Sequence, residues 1–197
     1  MGRGGCHLFF AVSGLSGSTS TKIGYFVDGK LAFEENLSHQ AEDLAGFKDV
    51  MEQDTLRRDD VRIFMRGKGI HAQDIDIIMA RGGLFYPVVT GIYSVNEDMR
   101  EVLRGCKYGR HACNLSAIIA DDLAREVTEK NAARGVEMPF GPCRAYIADP
   151  PMADEMLPEC RVGGLPEFQR RPFFHALNSR AVVRRYLREH GHIQNDI

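Results

Sequence analysis

Asp28-Gly29 is the local feature that most constrains this chain. It stands between Ile23-Gly24-Tyr25-Phe26-Val27 and Lys30-Leu31-Ala32-Phe33. Both residues tolerate the positive φ of a type I′ turn, so the flanking runs are predicted to pair as an antiparallel hairpin. A third apolar run, Leu8 to Val12, precedes the hairpin and reads as another strand. Between that run and the hairpin lies Gly17-Ser18-Thr19-Ser20-Thr21-Lys22. Small side chains let ligand oxygens approach the backbone, and the N–H and hydroxyl donors converge, so such a turn suits phosphate. It does not match G-x-x-x-x-G-K-[ST] and is not a Walker loop.

Further along, Ser38 to Lys68 reads as helical with a break near Gln53 to Thr55. Ile75 to Ala80 reads as a strand running into Arg81-Gly82-Gly83. Asn96 is predicted to cap a helix over Glu97–Arg104, with acids in its first turn and a base in its last. Leu115, Ile118, Ile119, Leu123 and Val127 form the apolar stripe of a helix beginning at Asn114. Arg144 to Ala148 is a strand ended by Asp149-Pro150-Pro151. A last helix covers about Ala176 to Glu189, with Leu177, Ala181, Val183, Tyr186 and Leu187 as core contacts. The order implies an α/β layer fold: a mixed sheet beginning with an antiparallel β-β-β unit, with helices packed on it.

The chain has 197 residues, with 25 Lys plus Arg against 27 Asp plus Glu. There is no general basic field, which argues against nucleic acid as a partner. The late arginines read as a solvated helix face. Five cysteines without C-x-x-C spacing indicate neither a disulfide framework nor a zinc site. The N-terminal apolar run is too short for a membrane span. A reduced cytoplasmic protein is expected, with no membrane partner.

Arg81, His111, Asp149 and His175 share a position type: each lies where a strand ends or a helix begins. Ligands of open α/β sheets bind outside the carboxyl ends of strands. Two histidines, an arginine and an aspartate beside a Gly/Ser/Thr loop suit phosphoryl transfer, which depends on positioning and charge stabilisation.

The chain resembles the butyrate kinases of the acetokinase family, in the sugar-kinase/actin superfamily. The resemblance runs from Gly17 to Gly191. It is carried by Gly-Ser-Thr-Ser-Thr-Lys-Ile-Gly (17–24), Ala-Arg-Gly-Gly-Leu (80–84), Tyr-Ser-Val-Asn-Glu (93–97), Arg-His-Ala-Cys-Asn-Leu (110–115), Ile-Ala-Asp-Pro (147–150), Gly-Leu-Pro-Glu (164–167) and Phe-Phe-His-Ala-Leu-Asn (173–178). It implies a ribonuclease H-like, actin-like ATPase domain. It also implies conversion of ATP and butanoate to ADP and butanoyl phosphate with Mg²⁺. By resemblance, Gly17, Ser18, Thr19, Ser20, Thr21 and Lys22 bind phosphate. His111 and His175 stabilise the transferring phosphoryl group, and Asp149 is associated with the magnesium ion. Arg81 neutralises the carboxylate or acyl phosphate. Gly82, Gly83, Leu84, Phe85 and Phe174 adjoin the acyl chain.

Two departures from the family pattern stand out. Leu15-Ser16 occupies the place of the family's Asn-Pro. A second, nucleotide-binding domain is expected in the family after the helix at about 176–190, so residues 1–197 read as the first domain of a truncated kinase, inactive alone. A full-length homo-oligomer is expected. The alternatives are a non-catalytic half acting as a binding domain, or a branched-chain fatty-acid kinase. An actin-like or chaperone-like ATPase is a third class, which would not explain Phe174-His175 or Arg81-Gly82-Gly83.

Overall fold

The structure is a computed structural model, and it describes residues 6–13 and 20–191. Positions 14–19, including Leu15, Ser16, Gly17, Ser18 and Thr19, lie outside the described residues.

Three strands open the fold: β1 (Cys6–Ser13), β2 (Ser20–Val27) and β3 (Lys30–Ser38). Asp28 and Gly29 adopt φ of 50° and 73°, so the expected hairpin turn forms. Next come a single helical turn, α1 (Ala41–Leu44), a 3-10 turn (Val50–Gln53) and α2 (Asp54–Gly67). The predicted helical stretch from Ser38 therefore begins as strand, and its interruption falls at residues 45–49 rather than near Gln53, where the 3-10 turn runs directly into α2. β4 (Ile77–Arg81) follows, then a short strand that the sequence reading did not anticipate, β5 (Ile92–Ser94). The remaining elements are α3 (Glu97–Arg104), α4 (Cys113–Ala133), β6 (Arg144–Ala148) and α5 (Ala176–His190).

The six strands form one sheet in the order β3-β2-β1-β4-β6-β5. β2 pairs antiparallel with both β1 and β3, whereas β1, β4 and β6 run parallel. β5 closes the far edge antiparallel to β6. This is the mixed sheet that the sequence reading expected of a ribonuclease H-like domain.

Alternation along the strands selects the buried face. Thr21, Ile23 and Tyr25 of β2, Ile78 and Ala80 of β4, and Ala145 and Ile147 of β6 are all buried. They meet Leu115, Ile118, Ile119, Leu123 and Val127, the predicted stripe of α4. The first half of α4 is buried nearly all round, because the sheet lies on one side and α2 and α3 pack on others. Asn96 caps α3 as predicted, its Oδ1 accepting from Met99 N–H at 2.9 Å. Arg100 then ties α3 to α4. It is 4% exposed and reaches Asp121 at 2.8 Å and Asp122 at 2.7 Å. Breaking a buried pair of this kind costs about 3–5 kcal/mol, because a charge is left behind.

Asn114 does not cap α4. Its Oδ1 accepts from Leu84 N–H at 2.8 Å, and its Nδ2 donates to Gly109 O at 2.9 Å. It cross-links the loop after β4 to the approach of α4. The predicted core role of α5 also needs correction. Only Ala176 and Leu187 are buried there, while Val183 and Tyr186 are 40% and 55% exposed. α5 touches the rest of the fold mainly through its first turns and an Arg180–Glu155 pair at 2.6 Å.

Candidate functional site

β4 delivers Arg81 to the carboxyl end of the parallel strands, and β6 delivers Asp149 beside it. His175 sits directly before α5, whose axis starts at this end of the sheet. The Arg81 guanidinium (Nη2) pairs with His175 Nδ1. An arginine can only donate, so that ring nitrogen accepts and the ring proton stays on Nε2.

His111 obeys the same logic from another element. It precedes α4 and is half-buried. Cys113 N–H donates to its Nδ1 at 3.1 Å, and Cys113 Sγ lies 3.0 Å from the same atom. Nδ1 is again the acceptor, leaving Nε2–H free to donate. Burial lowers the His111 pKa, and the neighbouring Arg81 and His175 lower it further. All three causes favour the neutral imidazole, and the last two place His111 within electrostatic reach of both partners.

A cavity of about 320 Å³ opens here, lined by Lys22, Arg81, Asp149, Phe174 and His175. These five residues come from four parts of the chain, and each was expected at the site. Asn178 also lines it. The sequence signal for Asn178 was present, since it lies one helical turn after His175 in the same quoted block. Phe174 is 40% exposed and supplies an apolar wall.

Asp149 takes φ of 36°, a left-handed conformation that aspartate tolerates. Its Oδ1 accepts from Gly91 N–H at 2.9 Å, and its own N–H donates to Gly91 O at 2.9 Å. One carboxylate oxygen thus helps hold β5 on the sheet. The other is left for the cavity. Among the described residues, no group of three or more His, Cys, Asp and Glu side chains is arranged to hold a metal ion. A lone carboxylate still fits Mg²⁺, which usually takes one or two carboxylates and completes its shell with waters and substrate phosphate oxygens.

Several expected residues prove to have other surroundings. Thr21 is fully buried, and its hydroxyl donates to Asp60 at 2.6 Å while accepting from Arg57 at 3.1 Å. Alternation explains this: Lys22 points to the cavity, so Thr21 must point to the core. His39 adds a contact to the same Asp60 oxygen at 2.9 Å. Thr21 therefore anchors β2 to α2, and its hydroxyl is not available to a ligand. Ser20, the first residue of β2, is half-buried.

Phe85 is fully buried in the main core rather than set as an open pocket wall. Leu84 packs with Cys113, Met152 and Tyr108 in a small separate cluster next to His111. Gly82 and Gly83 are required by close packing. A Cβ on Gly82 would stand 2.5 Å from Pro150 Cβ, and one on Gly83 would stand 2.7 Å from Asn114 Cα. These glycines let the end of β4, which carries Arg81, approach Pro150 after β6 and Asn114 at the start of α4, while His111 itself is not among the residues lining the cavity. Burial raises the Cys113 thiol to about 11 and the Cys143 thiol to about 12, so neither is a nucleophile at neutral pH. No helix among the described residues is long and apolar enough to cross a membrane.

Comparison with known proteins agrees with the motifs. No protein-family model matches the chain. A protein of Phocaeicola vulgatus described as a probable butyrate kinase is 43% identical over 170 residues, covering 86% of this chain and 44% of that protein. Butyrate kinase 2 of Clostridium acetobutylicum is 40% identical over 173 residues, covering 88% of this chain and 45% of the relative. Butyrate kinase 1 of the same organism is 36% identical over 181 residues, covering 92% and 47%. Among solved structures, the acetate kinase of Entamoeba histolytica aligns with a TM-score of 0.46 at 14% identity, over 93% of this chain and 46% of that one. The fold assignment rests on the sheet topology instead. The chain spans about half the length of the curated relatives it matches, and over most of its own length it is a relative of the butyrate kinases.

Proposed function

We propose that this chain supplies the carboxylate and phosphoryl side of a butyrate kinase site, serving the reaction of ATP with butanoate to give ADP and butanoyl phosphate. The observation that carries the reading is the pairing of Arg81 with His175, with His111 within electrostatic reach of both. They are 94 residues apart at the extreme, yet Arg81 pairs with His175 and both perturb His111.

In this reading a butanoate oxygen attacks the γ-phosphorus, the new O–P bond forms, and the bond to the ADP oxygen breaks. The nucleophile is already a carboxylate, so no general base is needed. Both imidazoles are held as Nε2–H donors, suited to the equatorial oxygens on which charge accumulates. The Arg81 fork can take either the carboxylate or a phosphoryl oxygen pair. Lys22 adds a second positive charge on the cavity wall. Asp149 would hold Mg²⁺, which supplies charge neutralisation between phosphate groups when bound. Phe174 bounds the acyl side, where each buried methylene is worth about 0.8 kcal/mol. A longer or branched acid would be set by the same wall. The nucleotide grip falls, in this proposal, to a second domain reached through α5, in a cytoplasmic homo-oligomer.

A non-catalytic binding half is the second reading. Thr21 favours it, because one hydroxyl of the expected phosphate loop is spent on Asp60 and Arg57. The experiment that separates the two is hydroxamate trapping of butanoyl phosphate with ATP, butanoate and Mg²⁺. It is run on this chain alone, and with the rest of a relative supplied in trans. The kinase reading expects turnover only in the mixture, abolished by Arg81→Gln. No turnover in the mixture, with butanoyl phosphate still bound, supports the binding half. Turnover by the chain alone would overturn the proposed division of labour.

A further inference from the structure

A second cavity, of about 390 Å³, lies between the ends of α2 and α4 and shares no lining residue with the site above. Ile78 of β4, Leu123 and Val127 of α4 and Met65 of α2 form its apolar part. Its rim carries Arg62, Arg66, Lys130 and Arg134 against a single acid, Glu126. Glu126 is already taken: Arg62 reaches it at 2.7 Å and Lys130 at 2.5 Å. Among the described residues, Arg66 and Arg134 have no side-chain hydrogen bond or ion pair. Helix C-termini attract cations, which accounts for basic residues at these places. It does not account for an apolar hollow of ligand size directly beneath two unpaired guanidinium groups.

We propose that this cavity is a binding site for an amphipathic anion, with an apolar chain lying against Met65, at the edge of Ile70 and Val127, and an anionic head held by Arg66 and Arg134. The size and lining suit such a ligand: small-molecule sites are mostly apolar hollows of about 300–1,000 Å³ with a few placed polar groups. The guanidinium fork matches a carboxylate or a phosphate head, and these are the two sources of the anionic chemistry. Occupation would bridge α2 and α4, the helices that hold Thr21 and His111 respectively.

The test is a methyl-resolved NMR titration of the chain with octanoate, octyl phosphate and octanol. Octanoate or octyl phosphate is expected to shift the Met65, Ile70 and Val127 methyl resonances saturably, with the tighter of the two identifying the preferred head. Octanol should bind more weakly than either. Arg66→Gln and Arg134→Gln should each weaken the anion roughly three- to fivefold, as partly exposed charge pairs do, and should leave octanol unaffected. Neither residue has a partner to lose, so unchanged thermal melting is expected and confirms that the variants are folded. Absence of shifts at these methyls with both anions would overturn the proposal. So would equal binding of octanol, or undiminished anion binding by the double variant. None of these results bears on the Arg81 site, which is read separately from the histidine resonances.

Discussion

Gly83→Ala isolates the packing that assembles the candidate site. The added methyl would stand 2.6 Å from Leu103 Cδ2, 2.7 Å from Asn114 Cα and 2.9 Å from Asn114 Oδ1. Leu103 can turn aside, but the Asn114 backbone belongs to the first turn of α4 and cannot yield locally. Relief therefore requires β4 and α4 to separate. Overpacking of this kind costs about 1–3 kcal/mol. Separation also strains the Leu84 N–H to Asn114 Oδ1 bond at 2.8 Å, whose loss adds about 1 kcal/mol. The expected total is about 2–4 kcal/mol. Gly91→Ala is the control, since its nearest neighbours would be 3.7 Å away or more and its φ is unremarkable. Urea denaturation followed by circular dichroism measures both. The reasoning predicts a clear drop in midpoint for Gly83→Ala, an unchanged slope, and a near-native midpoint for Gly91→Ala. Equal midpoints for the two variants would refute the close-packing account of the Arg81-Gly82-Gly83 segment.

Thr21→Val should destabilise the fold by about 1–3 kcal/mol, because Asp60 and Arg57 each lose a buried partner; a neutral result in the same denaturation assay would contradict the anchoring role. In alkylation at pH 8, Cys160, which is exposed, should react well before Cys113 and Cys143, whose thiols are held near 11 and 12; faster labelling of Cys113 would reverse that ranking. The His111 pKa is lowered in the folded chain, so below its unfolded value of about 6.5 the unfolded chain takes up a proton that the folded chain refuses. Stability should therefore fall as pH drops from about 6.5 toward the folded value, and His111→Gln should flatten that part of the profile; an unchanged slope would oppose the assignment.

The elements most visible in the sequence were those with a local cause. Asp28-Gly29 set the hairpin, Asn96 set the start of α3, and the 3.6-residue stripe set α4. Strand ends likewise located Arg81 and Asp149, because apolar runs stop where a sheet meets its ligand face. What stayed hidden depended on which way a side chain turned. A Ser/Thr-rich run cannot reveal that Thr21 faces Asp60 while Lys22 faces the cavity; that follows from the register of β2 against β3. Gly82 and Gly83 looked like a ligand loop, and only the third dimension shows Pro150 and Asn114 against them. β5 has three residues and is held by Asp149 and by pairing with β6, so no local pattern could announce it. The family resemblance supplied an expectation that local physics did not, namely that His111 and His175 serve one site.

That convergence is tested most directly by following the His111 and His175 Cε1–H resonances during titration with butanoyl phosphate. Both should shift along one binding curve, with a single dissociation constant, and Arg81→Gln should remove both shifts together. Movement of only one ring, or two curves with different constants, would contradict the claim that Arg81, His111 and His175 form one anion site.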